Sequence, residues 1–113
     1  MPNEPLVIED LPSSNNRRVL RLAGPLVISN LFDFQARVRA DGSQTLIIDF
    51  TKVPYVDSAG IGALVGAYVT HEKDGRRLFL VGVSERVRQA LQVTRVESFF
   101  RFYATSEEAE QAA

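Results

Sequence analysis

Short runs of apolar and β-branched residues alternate along the chain with longer stretches in which apolar residues recur every three or four positions. Side chains repeat every two residues along a strand and about every 3.6 residues around a helix, so the runs predict strands and the stretches predict helices. Five strands are predicted, at residues 6–8, 19–22, 45–50, 78–81 and 99–103. A polar turn at residues 13–16 joins the first two.

Four helices are predicted from capping residues that precede the amphipathic stretches. Their expected first residues or N-caps are Ser29 or Asn30, Ser58, Ser84 and Ser106. Strands that alternate with helices predict parallel β-α units, and the opening pair of strands makes the sheet mixed. Residues 1–113 are therefore expected to form one α/β domain, with a mixed sheet of about five strands and about four helices.

The amino-acid composition argues against several classes of function. The 113 residues suit one domain, and 13 Lys and Arg against 14 Asp and Glu leave none of the basic surplus typical of nucleic-acid binding. The chain has no Cys, which excludes a disulfide framework and a thiolate site. The polar N-terminus does not resemble a signal peptide, and the apolar runs are too short to cross a bilayer. We therefore expect a cytoplasmic protein without direct membrane insertion.

No pattern predicts an enzyme, a metal site or a cofactor site. His71 is the only His, and its place late on the second helix predicts an ordinary surface residue. No Asp-x-Asp pair offers a carboxylate metal site, and Ser58 lacks the Gly-x-Ser-x-Gly elbow. Gly60, Gly62 and Gly66 miss the dinucleotide-binding spacing by one residue.

The most informative segment is residues 53–65, where a buried strand ends and Ser58 begins the second helix. A Ser at this point has two interpretations. Its hydroxyl can cap the helix, which is worth about 1 kcal/mol, or it can accept a phosphoryl group whose charge the helix N-terminus tolerates. The glycines that follow indicate either close internal packing or a flat surface for another protein, and the pattern alone leaves both open.

Residues 57–64, with the sequence Asp-Ser-Ala-Gly-Ile-Gly-Ala-Leu, resemble the signature of the STAS domain, the fold of bacterial anti-sigma factor antagonists. The segments 46–50, 78–84 and 87–91 are similar to the strand before the signature and to the strand and helix after it. The resemblance covers residues 19–109 and implies a STAS-like fold for the predicted α/β domain.

The resemblance also implies a mechanism. An unphosphorylated antagonist binds an anti-sigma factor that is also a serine kinase, and this frees the sigma factor for transcription. Phosphorylation of the serine that matches Ser58 dissociates the complex, and a phosphatase resets it. The partner-binding positions that the resemblance implies are Tyr55, Val56, Asp57, Ser58, Gly60, Ile61 and Gly62. Taken alone, Asp57 is interpreted as a solvated loop carboxylate.

One position departs from the family pattern. Val27 stands in the loop after the second predicted strand, where many antagonists have an acidic residue, and that loop lies near the phosphoacceptor in the family. Val27 and the small residues of the second helix leave an alternative open. In it, the chain is a constitutive STAS subunit of a lipid or solute transport assembly, and Ser58 is only a helix cap.

Overall fold

Strands and helices alternate along the residues that the computed structural model describes, which are 4–13 and 16–113. The strands are β1 Val7–Ser13, β2 Arg17–Ala23, β3 Thr45–Lys52, β4 Arg77–Val81 and β5 Arg101–Tyr103. The helices are α1 Leu31–Ala40, α2 Ser58–Lys73, α3 Glu85–Val93 and α4 Ser106–Ala112. Of the turn predicted at 13–16, residues 14 and 15 lie outside the described part.

The strands form one mixed sheet in the order β1-β2-β3-β4-β5. β1 pairs with β2 in the antiparallel sense, whereas β2, β3, β4 and β5 run parallel. Each parallel step contains one helix, as a crossover between parallel neighbours requires. The predicted mixed sheet of about five strands with about four helices is confirmed.

Hydrophobic residues cover both faces of the central strands. One face, with Leu20, Leu46 and Ile48, packs against α1, α2 and α3. The other face, with Ile47 and Phe79, packs against Ala109 and partly buried neighbours. β3 is buried on both sides, which explains its nearly continuous apolar run. At one edge of the sheet, the carboxyl end of β3 leads into the N-terminus of α2, and the carboxyl end of β4 leads into the N-terminus of α3.

The last predicted strand is shorter than expected. Residues 97–99 form a 3₁₀ helix and only Arg101–Tyr103 pair with β4. The ring of Tyr68 on α2 stacks on Phe99 with 5.3 Å between centroids and meets the edge of Phe100 at 5.8 Å. The backbone thus turns at residues 97–99, although the sequence pattern predicted that the strand would begin at residue 99, and the aromatic side chains there pack against α2.

The prediction that His71 lies on the surface is wrong, because its side chain is 1% exposed. Nδ1 lies 2.8 Å from the carbonyl oxygen of Ala67, and Nε2 lies 3.5 Å from the buried carboxylate of Asp41. Burial raises the pKa of Asp41, but hydrogen bonds from His71 and Ser43 outweigh burial and hold that pKa below its ordinary value. The pair ties the end of α1 to the end of α2.

No helix in the described part of the chain is both long and apolar enough to span a bilayer.

Candidate functional site

Asp57, and not Ser58, caps α2. The backbone of Asp57 is extended, and its Oδ1 accepts a hydrogen bond of 2.8 Å from the backbone N–H of Gly60. Ser58 is the first residue inside the helix. The prediction that Ser58 is the cap is therefore wrong by one residue, and Asp57 is more than a solvated loop carboxylate.

The second carboxylate oxygen of Asp57 contacts a distant part of the chain. Oδ2 accepts a hydrogen bond of 3.0 Å from the backbone N–H of Ile28, in the loop between β2 and α1. Asn30 stabilises the same loop, since its side chain accepts from the N–H of Val27 at 3.0 Å and donates to the carbonyl of Pro25 at 2.8 Å. One carboxylate thus holds the start of α2 and the β2–α1 loop together.

The hydroxyl of Ser58 is accessible at the start of α2. Ser58 is exposed, and its hydroxyl has no hydrogen-bond partner within residues 4–13 and 16–113. Since Asp57 accepts the N–H that a capping serine would accept, the helix has no structural need of this hydroxyl. The geometry allows an added phosphoryl group without the loss of an internal contact.

The glycines after Ser58 differ in their surroundings. Gly60 is buried, and a Cβ there would lie 2.1 Å from the carbonyl oxygen of Leu26, so only glycine allows this approach. Leu26 belongs to a short extension of the sheet that forms a parallel bridge to Val56. A Cβ at Gly62 would meet nothing within 4 Å, and Gly62 is exposed. Internal packing explains Gly60 but not Gly62.

The seven predicted partner-binding residues fall into two groups. Ser58 and Gly62 are exposed, and Tyr55, Val56 and Asp57 are half-buried around them. Gly60 and Ile61 are buried and lie beneath the surface that the other five residues form. Tyr55 donates a hydrogen bond of 2.6 Å to the carboxylate of Glu4, which raises the pKa of the Tyr55 hydroxyl.

A groove of about 390 Å³ runs from the start of α2 to α3. Ser58 and Asp57 line its rim together with Val56, Arg86 and Val93. The guanidinium carbon of Arg86 lies 5.0 Å from the centre of the Tyr55 ring, which is cation–π distance. Among the described residues that line this groove, Asp57 is negative, Arg86 is positive and most of the walls are apolar.

Three apolar side chains on the loop and helices that border the site are highly exposed, and the sequence analysis missed them. Ile28 is 73% exposed, Phe32 is 84% exposed and Val93 is 77% exposed. Ile28 adjoins the site directly, through the hydrogen bond of its N–H to Asp57. The sequence could have indicated that Phe32 is exposed, because this residue lies outside the apolar stripe of α1 formed by Leu31, Phe34 and Val38.

Val27, the departure from the family pattern, is half-buried beside this site. It provides no charge, and its backbone N–H is held by Asn30. The loop therefore receives no acidic side chain from Val27, and the carboxylate of Asp57 reaches the loop at Ile28.

Comparisons with known proteins agree with this fold. The STAS domain model matches residues 10–109. The anti-sigma-B factor antagonist of Staphylococcus aureus is 30% identical over 57 residues, which are 50% of this chain and 53% of that protein, so the match spans about half the length of this curated relative. Residues 10–109 are most of the chain, whereas the curated match is partial.

Two solved structures share the fold. An anti-sigma factor antagonist from Mycobacterium paratuberculosis superposes with a TM-score of 0.83 and 19% identity, over 95% of this chain and 92% of the other. The Bacillus cell fate determinant SpoIIAA, in its phosphorylated form, gives a TM-score of 0.75 and 19% identity, over 95% of this chain and all of the other. With the family match and the five-stranded mixed sheet, the chain belongs to the STAS domain family.

Proposed function

We propose that this STAS domain is an anti-sigma factor antagonist whose binding is switched by phosphorylation of Ser58. The observation that carries the proposal is the exposed hydroxyl of Ser58 at the start of α2, which has no hydrogen-bond partner in the described part of the chain and lies next to the capping carboxylate of Asp57. The curated relative named an anti-sigma-B factor antagonist supports the role. The solved phosphorylated form of SpoIIAA supports a phosphate on this fold.

In the proposed cycle the unmodified domain binds an anti-sigma factor that is also a serine kinase, and the sigma factor is released to direct transcription. The kinase transfers the terminal phosphoryl group of ATP to Ser58 Oγ, and ADP and the hydroxyl proton leave. A phosphatase later hydrolyses the phosphoester with water and restores the serine. This domain catalyses no step of the cycle, and the need for ATP places the cycle in the cytoplasm.

The proposed partner surface centres on Ser58 and Gly62, with Tyr55, Val56 and Asp57 around them. Exposed Ile28 and Phe32 extend it, while buried Gly60 and Ile61 hold the backbone in place. A phosphoserine carries a charge of about −1.5 to −2, and a charge buried against a partner costs several kcal/mol. A cost of about 3–4 kcal/mol weakens a complex several-hundred-fold.

Mass spectrometry after incubation with ATP and the serine kinase anti-sigma factor of the same organism tests the modification. We expect one phosphate on the wild type and none on Ser58→Ala. Ser58→Asp should bind the kinase at least a hundredfold more weakly than the wild type. Ser98→Asp places the same charge at another exposed position and should bind normally.

The alternative role, a constitutive subunit of a lipid or solute transport assembly, predicts a different result. In that role Ser58→Asp and the wild type would bind their partners equally well, and no kinase would modify Ser58. The part of the alternative in which Ser58 serves only as the helix cap is wrong, because Asp57 is the cap.

A further inference from the structure

Arg86 lies in the same groove as Ser58, the proposed phosphoacceptor, and forms no ion pair with another described residue. It is the second residue of α3, exposed, and it lines the same groove as Ser58. Within residues 4–13 and 16–113, its guanidinium lies over the Tyr55 ring, and no carboxylate forms an ion pair with it. Its guanidinium is therefore available, unlike that of Arg21, which pairs with Glu9, or that of Arg88, which pairs with Glu97.

The surroundings favour an anion in that groove. Ser58 is the first residue of α2 and Arg86 the second residue of α3, so the positive dipole ends of both helices lie at the same edge of the sheet. Ile61, Ala90 and Val93 form apolar walls of the groove. Among the described residues that line the groove, Asp57 carries the negative charge, and its two oxygens are occupied by the N–H groups of Gly60 and Ile28.

We infer that Arg86 is the internal partner of phosphorylated Ser58: its guanidinium leaves the Tyr55 ring and pairs with the phosphate across the groove. This inference rests on the proposed function, because it assumes that Ser58 is modified. A guanidinium suits the role, since its planar N–H groups bind two phosphate oxygens at once.

The pairing would change the partner surface in two ways with one modification. It adds the negative charge of the phosphate at Ser58, and it withdraws the positive charge that Arg86 offers to a partner in the unmodified state. The Tyr55 ring, half-buried in the proposed partner surface, loses its cation at the same time. Arg86 is therefore assigned as a residue that specifies the phosphorylated state.

Phosphoserine incorporated at position 58 during translation tests this without any kinase. A ³¹P NMR titration measures the second pKa of the phosphate, which is about 6 in a free phosphoserine. We expect a pKa about 0.5 lower in the wild type than in Arg86→Gln, because a nearby cation favours the dianion. Lys73→Gln removes an equal charge about 22 Å along the axis of α2 and should match the wild type.

A second measurement needs no substitution. The side-chain Nε–H signal of Arg86 should shift when Ser58 carries the phosphate, while that of Arg88, already paired with Glu97, should not. Equal phosphate pKa values in the wild type and Arg86→Gln, or an unmoved Arg86 signal, would overturn the inference. A kinase that never modifies Ser58 would refute the proposed function instead, and would leave this titration unaffected.

Discussion

Asp57 and Ile28 are joined by a hydrogen bond of 3.0 Å between the carboxylate of one and the backbone N–H of the other, across 29 positions of sequence. The same carboxylate caps α2. Because Ser58 follows Asp57 directly, the shape of the loop that carries exposed Ile28 is coupled to the residue that we propose as phosphoacceptor. A change at either end of this hydrogen bond is expected to affect both.

Replacing Asp57 should therefore cost stability as well as binding. Asp57→Ala removes both hydrogen bonds and should lower the free energy of unfolding by about 1–2 kcal/mol in a urea titration. Asp57→Asn retains a side-chain oxygen for the cap and should lose less. Asp33→Asn is the control, because Asp33 makes only an exposed ion pair with Arg37, and it should change stability by less than about 0.5 kcal/mol. An unchanged stability of Asp57→Ala would contradict the capping role.

The two glycines of the signature should respond in opposite directions to alanine. Gly62→Ala should stabilise the domain by about 1 kcal/mol, since alanine is the better helix former and its Cβ meets nothing. Gly60→Ala should destabilise it, because the Cβ would lie 2.1 Å from the carbonyl oxygen of Leu26. Thermal unfolding of both variants checks the signs.

Gly62→Ala also distinguishes the two interpretations of the glycine pattern. If Gly62 provides a flat surface for a partner, the more stable variant should bind the anti-sigma factor more weakly. Gly66→Ala is the matched control, because Gly66 is exposed on the same helix with equally open space, one turn further from Ser58. Equal affinities of the three proteins would remove Gly62 from the partner surface.

Much of the fold could be predicted from hydrophobic patterning, because burial alone fixes it. β3 is apolar along most of its length and proved to be covered on both faces. In the core stripe of α2, Ile61 and Leu64 are buried. Ser84 caps α3 as predicted, accepting from the N–H of Val87. In each case the determining interaction is local, or depends only on which side of an element is apolar.

Two of the predictions that were wrong depend on contacts between distant residues, and a third concerns two adjacent capping residues. Asp57 and Ser58 are both good capping residues, and the choice of Asp57 brings a second acceptor oxygen to Ile28. His71 is buried by its pairing with Asp41, 30 positions away, which a hydropathy pattern cannot reveal. Thr105 precedes Ser106 and caps α4 in its place. Adjacent residues of similar propensity leave such choices to tertiary structure.

The pair of Asp41 and His71 should make stability depend on acid. The pKa of Asp41 is lower in the folded chain than its ordinary value of 3.8, so its carboxylate contributes stability that is present above that value. This stability is lost as the pH falls through the folded pKa. Asp41→Asn should lower the free energy of unfolding by about 3 kcal/mol at pH 7, because it leaves buried partners unpaired.

Urea titrations at several pH values measure this contribution. The difference between the wild type and Asp41→Asn should narrow as the pH falls below about 4, because Asp41 is protonated first in the unfolded chain and then, below its lower folded pKa, in the folded chain as well. Asp74→Asn removes an exposed carboxylate that pairs with the same Arg76, and should show little difference at any pH. A difference that widens in acid would contradict the lowered pKa.

Ile28 and Phe32 are expected to contribute to binding but not to folding. Both side chains are more than 70% exposed, so Ile28→Ser and Phe32→Ser should change the free energy of unfolding by less than about 0.5 kcal/mol. Buried aromatic and aliphatic contacts dominate protein interfaces, so each variant should weaken the complex with the anti-sigma factor about tenfold or more in calorimetry. Val69→Ser, at an exposed position about 16 Å along α2 from Ser58, should bind normally. Full affinity of both variants would confine the partner surface to the start of α2.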